Sequence, residues 1–338
     1  MILTDPSQKA EYRNVWALAE VLSGQVQPVT YELIGASRAL ADAKGSEVWA
    51  VLLGAGTAGQ ADSLFAYGAD KVLLVDDPRL AGFSDEWEAG VLERLMRKYK
   101  PDVLLGAATA RGRALMPRVA VKANCGLTAD CTQLGIDPEN GDLLQTRPAF
   151  GGNILATIRC SSHRPQLATV RPRVMKALAP DSGRKGEVIR EELLDTDAKK
   201  TKRIVETFQD KETVVNLGHA QIIVSGGRGV KGPKGFDLLR AFANKVGAAV
   251  GASRAAIDSG WISYAHQIGQ TGQTVQTRVY IACGISGQIQ HLVGMQSSDT
   301  IIAIDKNPNT PMMQLADIAI VGDLFEVIPE IIKEIDKV

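Results

Sequence analysis

The chain has 338 residues, 45% of them hydrophobic and 22% charged, with Lys plus Arg equal to Asp plus Glu at 38 each. That length suits two domains, and the composition excludes disordered and collagen-like classes. The charge balance argues against bulk nucleic-acid binding, which calls for a basic excess or stripe.

The opening "MILTDPSQKAEYRNVW" lacks the basic-then-apolar layout of a signal peptide. No apolar run approaches the ~20 residues of a membrane span, so a cytoplasmic location is expected. Cys125, Cys131, Cys160 and Cys283 match no common zinc or iron–sulfur spacing. They read as reduced, mostly buried small hydrophobes.

From Asn14 to Ala177 strand-like runs alternate with helical periodicity. "VWALAEV" and "EVWAVLLG" flank the helical "LIGASRALADAKG", and "KVLLVDD" and "DVLLGAAT" flank "EWEAGVLERLMRKYK". In the latter, Trp87, Val91, Leu95 and Tyr99 recur every fourth position. Such alternation implies parallel pairing and right-handed crossovers. "NILATIRC" and "QLATVR" read as further strands. Between Pro180 and Gly218 the chain becomes charge-dense around two short strand candidates, "EVIREEL" and "KRIVETF". A joint near Val205 to Gly218 separates domains at 1–205 and 206–338, and its polar character permits the second to move as a unit. The second half then restarts the alternation: strand "QIIVSGG", helix "FDLLRAFANKVG", strand "AAVGAS", strand "VYIACG", helix "SGQIQHLVGM", strands "TIIAID" and "IAIVGD", helix "LFEVIPEIIKEI". The expected fold class is α/β, two open, mostly parallel sheets.

Gly54, Gly56 and Gly59 stand in G-x-G-x-x-G spacing between a strand and a helix, with Asp76 and Asp77 ending the next strand. This is the layout of a dinucleotide site. A tight glycine turn with aspartates ending a strand before Pro78 accounts for the same residues.

In the second half Arg228, Ser253 with Arg254, Ser286 with Gly287, and Asp305 fall just past the carboxyl ends of four expected strands, and Asp323 ends a fifth. Ligands of open α/β sheets bind beyond those ends. Ser286 and Gly287 sit at an expected helix start, suited either to an anion or to ordinary capping. "GQTG" is a glycine-flexed loop exposing Gln270 and Thr271. His291 is out of phase with Ile289, Leu292 and Val293, so it need not face the core. His163, His219 and His266 have no partner at a recognisable spacing, and no triad, glycosidase carboxylate pair or metal cluster is supported.

"SGGRG", "GASRAAIDSGW", "QIGQTGQ", "YIACGISGQIQHLVGM" and "AIDKNP…ADIAIVGDLFEVIPE" resemble the electron transfer flavoprotein alpha subunit. "GLTADCT", "QTRPAFGGNILATI" and "RPQLATVRP" extend the resemblance over nearly the whole chain. It implies an N-terminal domain that contacts a beta subunit and a C-terminal Rossmann-like domain that holds FAD, and it demotes the Gly54 to Gly59 turn to structure. Carried over by position, Arg228, Ser253, Arg254, Gln267, Gln270, Thr271, Gly284, Ser286, Gly287, Gln290, His291, Asp305 and Asp323 would line FAD. Arg228 would serve the phosphate and ribose side. Arg254 and His291 would stabilise negative charge near flavin N1 and the C2 carbonyl, and the Thr271 hydroxyl would address N5.

Two positions depart from the family's pattern. Asp305 stands where Asn is common, and an ionised Asp305 only accepts. Gln273 replaces the Lys that often follows "GQTG". The resemblance implies an electron-carrier subunit rather than a stand-alone enzyme. "VWALAEVLSGQVQPVTYELIGASRALAD" is similar to the branch from anaerobes, whose heterodimer bifurcates electrons from NADH between ferredoxin or flavodoxin and an acyl-CoA dehydrogenase. The alternatives are a non-bifurcating carrier between acyl-CoA dehydrogenases and a quinone reductase, an NAD-dependent dehydrogenase built on Gly54 to Gly59, and a non-redox adenine-nucleotide module.

Overall fold

Apolar runs that never alternate with polar residues build strands buried on both faces, and here they do so in two separate parallel sheets. The computed structural model describes residues 6–149, 154–198 and 217–337. It divides into two compact units, Met1–Glu206 and Thr207–Val338. The strand expected at "KRIVETF" and the joint, apart from Leu217 and Gly218, lie outside the described residues.

The first unit opens with β1 (Arg13–Leu18) and a short hairpin of β2 (Val21–Leu22) and β3 (Gln25–Val26). There follow α1 (Pro28–Lys44), β4 (Val48–Gly54), α2 (Ala61–Ala66), β5 (Lys71–Asp76), α3 (Asp85–Tyr99), β6 (Pro101–Ala107) and α4 (Ala110–Ala123). The remainder is β7 (Leu127–Cys131), β8 (Gln133–Ile136), β9 (Leu143–Ala149), β10 (Ile154–Arg159), β11 (Gln166–Val170) and β12 (Glu187–Arg190). Seven strands form one parallel sheet in the order β12-β5-β4-β1-β6-β11-β7. Every residue of β4 and β6 is buried, as a sheet covered on both faces requires. One face packs Val15, Ala50 and Leu52 under α1, and the other packs Trp16, Val51 and Leu73 under α3 and α4.

Helix ends follow local chemistry. Ser84 accepts from the Trp87 N–H to open α3, whose first turn carries Asp85, Glu86 and Glu88 and whose last carries Arg97 and Lys98, opposing the helix dipole at both ends. Its fully buried Val91, Leu92 and Leu95 contribute about 1.5–3 kcal/mol each. The helix α4 and strands β7 to β9 have no counterpart in the sequence expectations. "NILATIRC" does form a strand, β10, but in a separate antiparallel sheet of order β10-β9-β8. "EVIREEL" supplies β12, which closes the edge of the large sheet against β5.

The second unit runs β13 (Ile222–Gly226), α5 (Pro233–Val246), β14 (Ala249–Ala252), α6 (Arg254–Asp258), β15 (Val279–Cys283), α7 (Ile289–Leu292), β16 (Thr300–Asp305), α8 (Pro311–Leu315), β17 (Ile318–Val321) and α9 (Leu324–Ile335). Its five strands are all parallel, in the order β14-β13-β15-β16-β17. The chain crosses from β14 over β13 to β15, so the winding direction reverses between β13 and β15. That is the topological switch point, where the loops beyond the strand ends splay apart.

None of the helices among the described residues is long and apolar enough to cross a membrane. The cysteines are all free: Cys131 and Cys283 are buried, Cys125 and Cys160 partly so. Burial pushes the thiols of Cys125, Cys131 and Cys283 up to about 12, so they stay protonated and inert.

Candidate functional site

At the switch point the loops after β13 and β15 are tied together. Gly227 N–H donates to Cys283 O and Gly229 N–H to Gly284 O, each at 3.0 Å. The two backbones lie so close that a Cβ on Gly229 would stand 2.6 Å from the Gly284 Cα, so only glycine fits there. Past β14, Ser253 N–H donates to Gly226 O at 2.9 Å. The loop carrying Gln267 to Gln273 is drawn onto the same end by the Ile268 N–H to Ala252 O bond, also 2.9 Å.

These loops enclose a cleft of about 620 Å³, within the range of small-molecule sites. Among the expected site residues, Arg228, Ser253, Arg254, Gln267, Gln270 and Thr271 line it, as do Gly284, Ser286, Gly287, Gln290, His291 and Asp305. Asp323 does not. It caps α9, accepting from Phe325 N–H at 3.0 Å, and pairs with Lys306 at 2.6 Å. That lysine and the Phe325 N–H hold its carboxyl below the usual range.

The walls are not equivalent. Arg228 is exposed and has no hydrogen bond or ion pair among the described residues, so its cation is available to an anion. Arg254, at the start of α6, meets Asp258 at 3.3 Å with both side chains about two-thirds exposed, a weak surface pair. Thr271 Oγ accepts from Gln267 Nε2 at 3.0 Å, and the Tyr264 hydroxyl donates to Thr271 O at 2.7 Å, which fixes the turn that exposes Gln270 and Thr271. Gln270 N–H donates to Gln290 O at 2.7 Å, joining this turn to α7. Asp305 accepts from Asn307 N–H at 2.9 Å. Ile268 and Ile285 supply apolar wall.

Two expectations are corrected. The helix expected from Ser286 onwards begins only at Ile289, with Gln288 at its N-cap, so Ser286 does not cap it. Gly287 lies in the left-handed region (φ 81), and that turn breaks the helix before it can start. His291 does face inward: it is 6% exposed while Ile289 is 58% exposed. A helix of four residues imposes no amphipathic phase, and the buried Tyr280 hydroxyl gives the ring a partner at 2.9 Å. Burial pushes the imidazole down to about 4, against a smaller opposing effect of the Ile268 backbone. His291 is therefore neutral and still lines the cleft.

The sequence reading missed Asp258, Asn307 and Thr310 in the lining. The spacing Arg254 to Asp258 on a helix and the Thr310-Pro311 helix start were the available signals. Among the other histidines, His266 is bound at Nδ1 to Val250 O at 2.7 Å and is structural.

The Gly54 to Gly59 turn is built differently. Asp76 occupies its N–H groups, accepting from Gly56 at 2.6 Å and Ala58 at 3.0 Å. Gly59 has open space around it, so it is not there for close packing, and α2 beyond it has six residues. Two of the N–H groups that a diphosphate would need are thus taken by Asp76.

The cleft fits FAD on its own chemistry. Ser253 Oγ and His291 Nδ1 are buried without a hydrogen bond among the described residues, and both belong to lining residues. The backbone glycines leave room for a diphosphate beside the unpaired Arg228. Comparison with known proteins agrees. The family model of the electron transfer flavoprotein domain matches residues 15–196, and that of the electron transfer flavoprotein FAD-binding domain matches residues 216–296. The electron transfer flavoprotein subunit alpha of Thermoanaerobacterium thermosaccharolyticum is 50% identical over 97% of this chain and 99% of its own length. That of Clostridium acetobutylicum is 47% identical over 97% and 98%. The LctC subunit of a lactate dehydrogenase (NAD(+),ferredoxin) from Acetobacterium woodii is 43% identical over 97% of this chain and 78% of its own. With both family models in chain order and full-length relatives, the chain belongs to the electron transfer flavoprotein alpha subunits, and its cofactor is FAD.

Proposed function

We propose that this chain holds FAD in the switch-point cleft and works in a heterodimer with an electron transfer flavoprotein beta subunit, the unit 1–205 making the subunit contact. The carrying observation is the convergence on one cleft of residues separated by up to 83 positions, from Gly227 to Thr310, with Arg228 unpaired among the described residues. Bound FAD supplies a ring that accepts and returns one or two electrons. Arg228 and the backbone of the Ser286 to Gln288 turn would hold the diphosphate, since the Gly227 and Gly229 N–H groups already donate to Cys283 O and Gly284 O. Ser253, Asp305, Ser286 and Gly287 would hold ribose and backbone oxygens, and Gln267, Gln270, Thr271, Gly284 and Gln290 would frame the remainder. Arg254 and His291 would place a cation and a neutral ring beside the redox part. Asp323, engaged by Lys306 and Phe325, is left out of this set.

We further propose that the complex bifurcates, drawing electrons from NADH and delivering them to ferredoxin or flavodoxin and to an acyl-CoA dehydrogenase. Support comes from the relative whose name joins NAD(+) and ferredoxin, 43% identical over nearly all of this chain. The same name makes a 2-hydroxy acid dehydrogenase the second reading for the partner. The complex, co-purified with its beta subunit, should carry FAD and oxidise NADH only when ferredoxin and the dehydrogenase with its substrate are both present. NADH oxidation with either acceptor alone would identify a simple carrier.

A further inference from the structure

We propose that Tyr280 is a positioning residue for the cofactor cleft: its hydroxyl, bonded to His291 Nε2, holds that ring as a neutral donor whose Nδ1–H faces the bound flavin. The inference rests on the reading that FAD occupies this cleft.

Tyr280 lies in β15, which is paired on both sides, with Tyr280 opposite Ile223 of β13 and Ile301 of β16. Its ring is fully buried with Ile223, Ile268, Ile285, Met295 and Ile301. A phenol so placed cannot swing to water. Its hydroxyl ends 2.9 Å from His291 Nε2, with ring centroids 6.2 Å apart and planes tilted by 58°, so the contact is a hydrogen bond rather than a stack. His291 is 6% exposed, and its Nδ1 is buried without a hydrogen bond among the described residues. The Ile268 backbone acts on the ring as a hydrogen-bond partner of poor geometry, which leaves Nδ1 unsatisfied among the described residues. A polar atom that is buried, unpartnered and on the wall of a cleft is most simply met by what the cleft holds.

The direction of the 2.9 Å bond decides what His291 offers. A neutral imidazole has one N–H. If Nε2 carried it, Nδ1 would present a lone pair, and the buried phenol proton would need another acceptor. If the phenol donates to Nε2, the ring proton sits on Nδ1. Burial raises the phenol above its usual value, so it keeps its proton to donate, and the nearby Ser225 hydroxyl on the neighbouring strand makes no hydrogen bond among the described residues that would take that proton. The second arrangement uses each proton once. It also suits a cofactor that gains negative charge on reduction, because a fixed neutral N–H favours the reduced form without adding a buried cation.

Wild-type protein, as the complex with its beta subunit, tests this without any variant. With histidine labelled by 15N, the His291 signals should show a protonated Nδ1 and a bare Nε2, both with FAD bound and after its removal. A protonated Nε2 would overturn the proposal. Tyr280→Phe keeps the ring and removes the hydroxyl. It should retain FAD yet make reduction about tenfold less favourable, which is ~30 mV for two electrons. In a double-mutant cycle with His291→Gln, the two effects should not add, and full additivity would show that Tyr280 does not act through His291. Should His291 resonances be indifferent to FAD removal, the placement of the cofactor fails, while the tautomer measurement still judges Tyr280 separately.

Discussion

The Asp76 carboxylate accepts from the Gly56 N–H at 2.6 Å, so the acid that would meet a nucleotide ribose in a dinucleotide fold instead seals the glycine turn from within. The same acid also takes the Ala58 N–H, at 3.0 Å.

Gly59→Ala should therefore be silent. Its site is open, and stability of the complex should change by no more than about 0.5 kcal/mol. Asp76→Ala should cost about 0.5–1.5 kcal/mol by freeing two N–H groups, while leaving FAD content and NADH-dependent turnover unchanged. Thermal unfolding and a turnover assay check both. Lost NADH turnover in a folded Asp76→Ala complex would return this turn to the list of nucleotide sites.

Arg254→Ala should lower the potential of the bound flavin while FAD stays in place, because Arg228 and the glycine loops are untouched. A charge-assisted contact worth about 2 kcal/mol corresponds to about 40 mV for two electrons. Arg254→Lys should recover part of the shift, since it keeps the charge and loses the planar fork. Redox titration decides the point, and an unshifted potential would make Arg254 a surface arginine paired with Asp258.

Arg228→Ala should act on affinity instead. Loss of this cation, unpaired among the described residues, should weaken FAD binding by about tenfold or more and flatten its salt dependence, with the potential of the remaining flavin nearly unchanged. Equilibrium dialysis of the complex at two salt concentrations measures this.

Stability of the first unit should depend on Arg164, whose guanidinium lies against Asp102 at 2.5 Å and Asp142 at 2.6 Å, all three residues 4% exposed. Burial alone would raise the Asp142 carboxyl, but the Arg164 hydrogen bond and charge, with smaller help from its neighbours, take it below its usual value. A depressed carboxyl adds stability that is present above the unfolded pKa and lost as pH falls through the folded one. Arg164→Leu should cost up to about 3 kcal/mol at neutral pH by removing the buried cation that Asp102 and Asp142 share, which leaves Lys44 beside Asp102 and Arg159 beside Asp142. Its slope should flatten: without the Arg164 contribution the Asp142 carboxyl is less depressed, so the variant should lose less stability on acidification than wild type does. Melting temperature against pH shows the contrast.

His291 should leave a trace of the same sign in wild type. Its folded pKa of about 4 lies under the usual 6.5, so between these values the unfolded chain binds a proton that the folded chain refuses. Stability should fall as pH drops through that window, and His291→Gln should flatten the slope there. His266, lowered chiefly by burial, contributes in the same sense and will keep part of it.

Strand and helix identity was legible wherever one period ran long enough: β4, β6 and α3 announce themselves because burial on both faces, or on one helical stripe, leaves a pattern in adjacent residues. So was the set of residues beyond the strand ends, since chain position relative to a strand is a local property. The resemblance added their cofactor. Packing decided the rest. Whether Asp76 faces a ligand or its own turn depends on 18 to 20 intervening residues returning through β5. His291 was misjudged because a helix of four residues has no face of its own, and its environment comes from Tyr280 on a strand that the sequence places 11 positions away. Hydrogen bonds between elements carry no periodic signal, and only the sheet order that brings β13 beside β15 could assemble the cleft from loops that share no sequence pattern.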